Sequence, residues 1–227
     1  MKKQLLITGS IGILGAIIMY VGDMLLYYTS TPFIFTDYII FEIMSTVSKE
    51  RLIAGGILGP LCSIMYIIGY YPIYISIRLT SKKGALIIVG LLTSSIIFGG
   101  AFHSHFPYLG MISRYENTEL LNVSQEYLMI MLSVTLILNF LGYGILAYYI
   151  LCKRTVYPRW MVLCSPLVLV FFGNLLHRLP YPFNLLISGG WNNIVAGVFF
   201  LLSTLILIRS MKDTDKKQAL SKKNAIK

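Results

Sequence analysis

Residues 4–28 read QLLITGSIGILGAIIMYVGDMLLYY, a run with one acid, Asp23, and no base. As a helix rising 1.5 Å per residue, such a run is about 37 Å long. The hydrocarbon core of a bilayer is roughly 30 Å thick, so the run is long enough to cross it. Similar runs follow at 52–77, 85–112, 127–152, 160–178 and 186–208. They are continuous rather than alternating, which favours helices over the short strands of a barrel. The first run is too long for a cleaved signal, and no small-residue cleavage motif follows it.

Composition agrees. The chain is 56% hydrophobic and 12% charged, where an ordinary soluble domain is about 25% charged. The expected fold is therefore all-α: a polytopic membrane protein with a six-helix bundle over 1–209. An amphipathic interfacial helix is expected over about 33–48, between the first two spans. Its polar arc is Asp37, Glu42, Ser45, Ser48 and Lys49, at 100° per residue. A basic, disordered tail is expected over 210–227.

Charge gives the orientation. The N-terminus, the 78–84 and 153–159 loops, and the tail with Arg209 just before it hold 15 of the 19 Lys and Arg residues. The other four are Lys49, Arg51, Arg114 and Arg178. By the positive-inside rule both termini are expected in the cytoplasm, with the chain in a prokaryotic plasma membrane. This topology and the basic tail account for the net charge of +10 without a nucleic-acid partner. Membrane lipids are the expected surroundings. Cys62, Cys152 and Cys164 form no outer-loop pair, so a disulfide framework is not expected. The chain has no GxxxxGK[ST], no GxSxG and no HExxH, so motif-borne ATPase, serine hydrolase and zinc peptidase chemistry lack support.

The candidate site comes from ionisable groups at membrane depth, which usually face the bundle interior or water. These are Asp23, His103, His105 and His177, all placed toward the outer ends of their spans. Two of those ends look alike: Gly99 to Tyr108 and Gly173 to Tyr181 each hold Gly-x-x-x-His followed by Pro-Tyr. His103 and His105 are two residues apart, so an intact helix points them about 200° from each other. Only one of them is expected at the site unless the helix unwinds before Pro107.

A metal reading takes Asp23, His103 or His105, and His177 as three ligands of a zinc ion with one open position. Zinc-bound water would then attack a lipid or another amphiphile, with Glu42, Asp37 or Asp23 moving the proton. Asn174, Arg178, Trp191, Asn192 and Asn193 are candidate substrate-binding groups. Two other readings stand beside it. One is a metal-free acid/base or ligand-recognition site. The other is structural, with Asp23 paired to Arg178 or Arg51. The alternative functions are a non-enzymatic binder or sensor, or a small transporter subunit. Against transport, polar groups stop in the outer half, and the tyrosines at 66, 70, 71 and 74 are read as packing.

Overall fold

The computed structural model describes residues 1–33, 39–115 and 117–225, with the backbone alone at Ile39 and from 213 onward. Asp37 lies outside the described residues. All regular structure within them is helical. Five helices are long and apolar enough to cross a membrane: Lys2–Tyr27, Lys49–Arg78, Lys82–Ser113, Thr118–Leu151 and Trp191–Lys212.

The first is α1 (Lys2–Tyr27), and a short α2 (Ile39–Thr46) follows it. The second spanning stretch is α3 (Lys49–Gly69) and α4 (Tyr71–Arg78), jointed at Tyr70 with Pro72 just inside α4. Then come α5 (Lys82–Ser113) and α6 (Thr118–Leu151). Side chains cap their starts: Ser48, Ser81 and Asn117 accept from the backbone N–H groups of Arg51, Gly84 and Leu120. Each such cap satisfies one of the donors a helix start leaves free.

The structure departs from the expected fifth span at 160–178. The chain there breaks into a 3-10 turn (Arg159–Val162), α7 (Pro166–Leu169), a second 3-10 turn (Val170–Phe172) and α8 (Gly173–Leu176). Its continuous apolar helical stretch, Pro166–Leu176, extends only about 16 Å, roughly half a hydrocarbon core. Pro166 is the cause. The residue before a proline is pushed out of the helical region, and Ser165 is extended at φ −83°, ψ 153°. A π-helical turn at Asn184–Ser188 precedes α9 (Trp191–Ala225). Thus α9 starts after Gly189-Gly190, later than the expected 186. The segment after 210, expected to be irregular, continues α9 as backbone helix to Ala225, in keeping with its good helix formers Lys, Gln, Ala and Leu.

The surface suits a bilayer. Large apolar side chains lie open on every spanning helix, among them Leu14, Ile57, Ile97, Ile137 and Leu205. A water-soluble monomer rarely shows such broad apolar surface. Inside, α1 packs on α3 and α9, α3 packs on α5, and α6 packs mainly on α5. Small residues let the backbones meet. A Cβ added to Gly69 would stand 2.6 Å from the Gly12 Cα, so α3 and α1 touch through bare backbone. Pro107 does not break α5, and its ring fills the space over Gly56. The α2 helix buries Phe41, Ile43 and Met44 and leaves Glu42 exposed. Arg114 holds the end of α2 by donating to the carbonyls of Ser45 and Val47.

Candidate functional site

Asp23 sits about one turn from the end of α1 and is 9% exposed. A carboxylate at that depth is costly unless every oxygen is served. Here both are. His103 Nε2 lies 3.2 Å from Oδ1, and Asn193 Nδ2 donates to Oδ2 at 2.6 Å. The Tyr66 hydroxyl donates to Asn193 Oδ1 at 2.7 Å. One hydrogen-bonded chain thus ties α5, α1, α9 and α3 together. A neutral His103 that donates from Nε2 to Asp23 keeps the opposite nitrogen as an acceptor. That Nδ1 is buried and has no hydrogen-bond partner among the described residues.

Local sequence explains the placement. A Cβ added at Gly59 would meet His103 Cβ at 2.7 Å and Nδ1 at 2.9 Å, so glycine makes room for the ring. The Ser63 hydroxyl lies 2.9 Å from the carbonyls of Gly59 and Ile96 and joins α3 to α5 beneath it. Asn193 occupies the first turn of α9, where the helix's positive end favours a nearby carboxylate. Around this chain, Tyr20 donates to the Leu186 carbonyl at 2.9 Å, and Tyr27 donates to the Gly189 carbonyl.

His105 turns away from Asp23, with Nδ1 2.7 Å from the Ala101 carbonyl and its ring 5.5 Å from that of Tyr127. Its separation from His103 follows the two-residue spacing on an intact helix. His177 is half-buried just after α8. Among the described residues, no group of three or more His, Cys, Asp and Glu could hold a metal ion. The donor set expected for zinc is therefore not assembled. The arginine expected against Asp23 is engaged elsewhere: Arg51 donates to the carbonyls of Met24 and Tyr28 at 3.1 and 3.0 Å, at the end of α1. Arg178, Asn174 and Asn192 are exposed, as is Glu42. Trp191 donates its indole N–H to the Leu169 carbonyl at 2.7 Å and anchors the broken segment to α9.

Residues 1–210 match the model of a family of unknown function, DUF6796. The chain belongs to that family. No curated protein and no solved structure matches it. The DUF6796 match runs from α1 into α9, so Asp23, Tyr66, His103 and Asn193 all lie inside the family region.

Sequence reasoning found Asp23, His103 and Asn193 but read Tyr66 as packing. A signal was present: Tyr66 is one helical turn from Cys62 and Tyr70 on the small-residue face of α3. Replacing the two histidines separates their roles. His103→Ala leaves Asp23 Oδ1 buried without a donor and is expected to cost about 2–3 kcal/mol. His105→Ala removes a half-buried ring and is expected to cost under about 1 kcal/mol. Thermal melts of the two purified variants check this, and equal losses would contradict it.

Proposed function

We propose that this chain is an integral membrane binding protein that takes a lipid-like amphiphile from the side. Both termini are then cytoplasmic by the distribution of Lys and Arg, and the polar end of the site faces the outer leaflet. The observation that carries this reading is a groove of about 350 Å³ between α1 and α9. Its walls are Ile13, Ile17, Ile194, Val198 and Leu201, and Tyr20 and Asn193 edge its polar end. An apolar slot with few convergent polar groups is the ordinary form of a small-molecule site.

The chemistry at the polar end suits a neutral head. Asn193 gives one N–H to Asp23 and receives Tyr66, which leaves its second N–H for a ligand. Tyr20 has donated to Leu186, so its oxygen can accept. A hydroxyl or amide head offers both partners. Binding is favoured over hydrolysis because, among the described residues, His103 has no bonded nucleophile: its Nε2 is on Asp23 and its Nδ1 has no partner.

The test is lipid extraction and native mass spectrometry of the purified chain. The expected result is a co-purified amphiphile, absent from Val198→Trp, whose larger side chain fills the groove while the Asp23 network stays intact. The reading is overturned if the wild-type chain carries no amphiphile and its melting is unmoved by added monoacylglycerol.

A further inference from the structure

A second groove lies between α3 and α5, away from the one between α1 and α9. It holds about 500 Å³, and Ile53, Ile57, Leu61 and Met111 form its apolar walls. Two prolines inside helices line it, Pro60 of α3 and Pro107 of α5, together with Gly56, Ser104 and Tyr108. A proline has no N–H, so each leaves the carbonyl four residues before it without its helical donor. Those carbonyls belong to Gly56 and His103.

The two carbonyls lie at one depth. The helices run antiparallel, with Gly56 against Pro107 and Gly59 against His103. A helical carbonyl points toward the C-terminal end of its helix, so that of Gly56 points toward Pro60 and that of His103 toward Pro107. Both therefore fall in the layer between these two contacts, roughly 10–15 Å in from the helix ends at Lys49 and Ser113. A backbone carbonyl at such depth is costly unless a donor reaches it. The hydroxyls beside them are committed elsewhere: Ser104 donates to the Ala101 carbonyl, and Ser63 lies on the carbonyls of Gly59 and Ile96. The same layer holds the buried Nδ1 of His103, which faces α3 at Gly59, the residue before Pro60. With Nε2 on Asp23, that nitrogen is an acceptor too.

We propose that this groove is a second lipid site, specific for a neutral lipid whose head is a diol. The head must donate, because what meets it is a set of acceptors: two carbonyls and the Ser104 oxygen, whose own proton is on Ala101. Two hydroxyls match the two carbonyls. The head must also be neutral. An ammonium group so far inside the bilayer is costly without a counter-charge, and no carboxylate is among the described lining residues. The volume is that of an ordinary small-molecule site, so it takes the head and the start of one chain. That chain lies along Ile57 and Leu61, which are 55% and 53% exposed, and continues into lipid. The α1–α9 groove offers one donor and one acceptor at its polar end, so the two grooves sort lipids by their heads.

The experiment titrates tritiated hexadecane-1,2-diol onto the full chain in detergent, in the Val198→Trp background that fills the other groove. One diol is expected to bind per chain. Its dimethyl ether keeps both oxygens and loses both donors, and is expected to compete about tenfold more weakly, the worth of two average hydrogen bonds in a membrane. Pro60→Ala returns an N–H to the Gly56 carbonyl and leaves the groove open, so it should weaken the diol about threefold. Ile57→Trp fills the groove and should abolish binding. Pro107 is left in place, because its ring fills the contact with Gly56. The proposal is overturned if the Val198→Trp chain binds no diol, or if the ether competes as well as the diol, which would mean apolar filling alone. It is equally overturned if Pro60→Ala or Ile57→Trp binds like its parent. The other groove is filled throughout, so failure here leaves the α1–α9 reading standing, and failure of that reading leaves this one.

Discussion

Asp23→Ala is expected to lower the melting temperature of the solubilised protein by roughly 10 °C, from a loss of about 3 kcal/mol. The size follows from what is left behind. Removing the carboxylate leaves His103 Nε2 and Asn193 Nδ2 buried without an acceptor. Single interhelical hydrogen bonds in membranes average only about 0.6 kcal/mol, because the separated helices also find partners. The larger figure applies here because α5 and α9 have committed polar side chains to Asp23, and α3 joins them through Asn193. Asp23→Asn keeps the volume and one carbonyl oxygen, so it should recover about half of the loss. The measurement is a thermal melt of both variants in one detergent. An Asp23→Ala protein as stable as the wild type would mean that the network does not hold the helices together.

Gly69→Ala is expected to cost about 1–3 kcal/mol through overpacking alone. The new methyl would stand 2.6 Å from the Gly12 Cα and 3.1 Å from the Phe200 ring. Backbone cannot swing aside as a side chain can, so α1 and α3 must part along the contact. Gly12→Ala creates the same clash from the other side, with a Cβ 2.8 Å from the Gly69 Cα. The two changes should therefore be far from additive, since the second meets helices already parted. Gly90→Ala and Gly144→Ala are the controls. Nothing lies within 4 Å of a Cβ at either site, and both should be neutral or stabilising by up to about 1 kcal/mol. A melt series that ranks Gly90→Ala below Gly69→Ala would refute this account of the α1–α3 contact.

Much of this architecture is visible in the amino-acid order. Long apolar runs mark α1, α3–α4, α5, α6 and α9, because a hydrophobic helix of that length has few other stable settings. The 160–178 run fails for a local reason. Hydropathy counts its apolar residues, whereas Pro166 forces Ser165 out of the helix and shortens what remains. The paired Gly-x-x-x-His motifs show the same limit. One lies in continuous α5 and delivers His103 to Asp23; the other lies in broken helix, with His177 just after α8. Helical spacing was enough to separate His103 from His105. It could not show that Asn193 reaches Asp23, because that contact joins residues 170 positions apart.

The span of that Asp23–Asn193 bond also has a consequence for biosynthesis. Asp23 leaves the ribosome with the first helix, and His103 arrives with the fourth of the named helices past it. Asn193 emerges only at the start of the last one. Until then the second carboxylate oxygen has no partner, and α1 keeps one flank open to lipid. The nascent bundle is therefore complete only when α9 slots in beside α1. A chain cut short before residue 193 would carry an unsatisfied buried charge, the kind of flaw by which a cell's membrane proteases can tell an unfinished protein from a finished one.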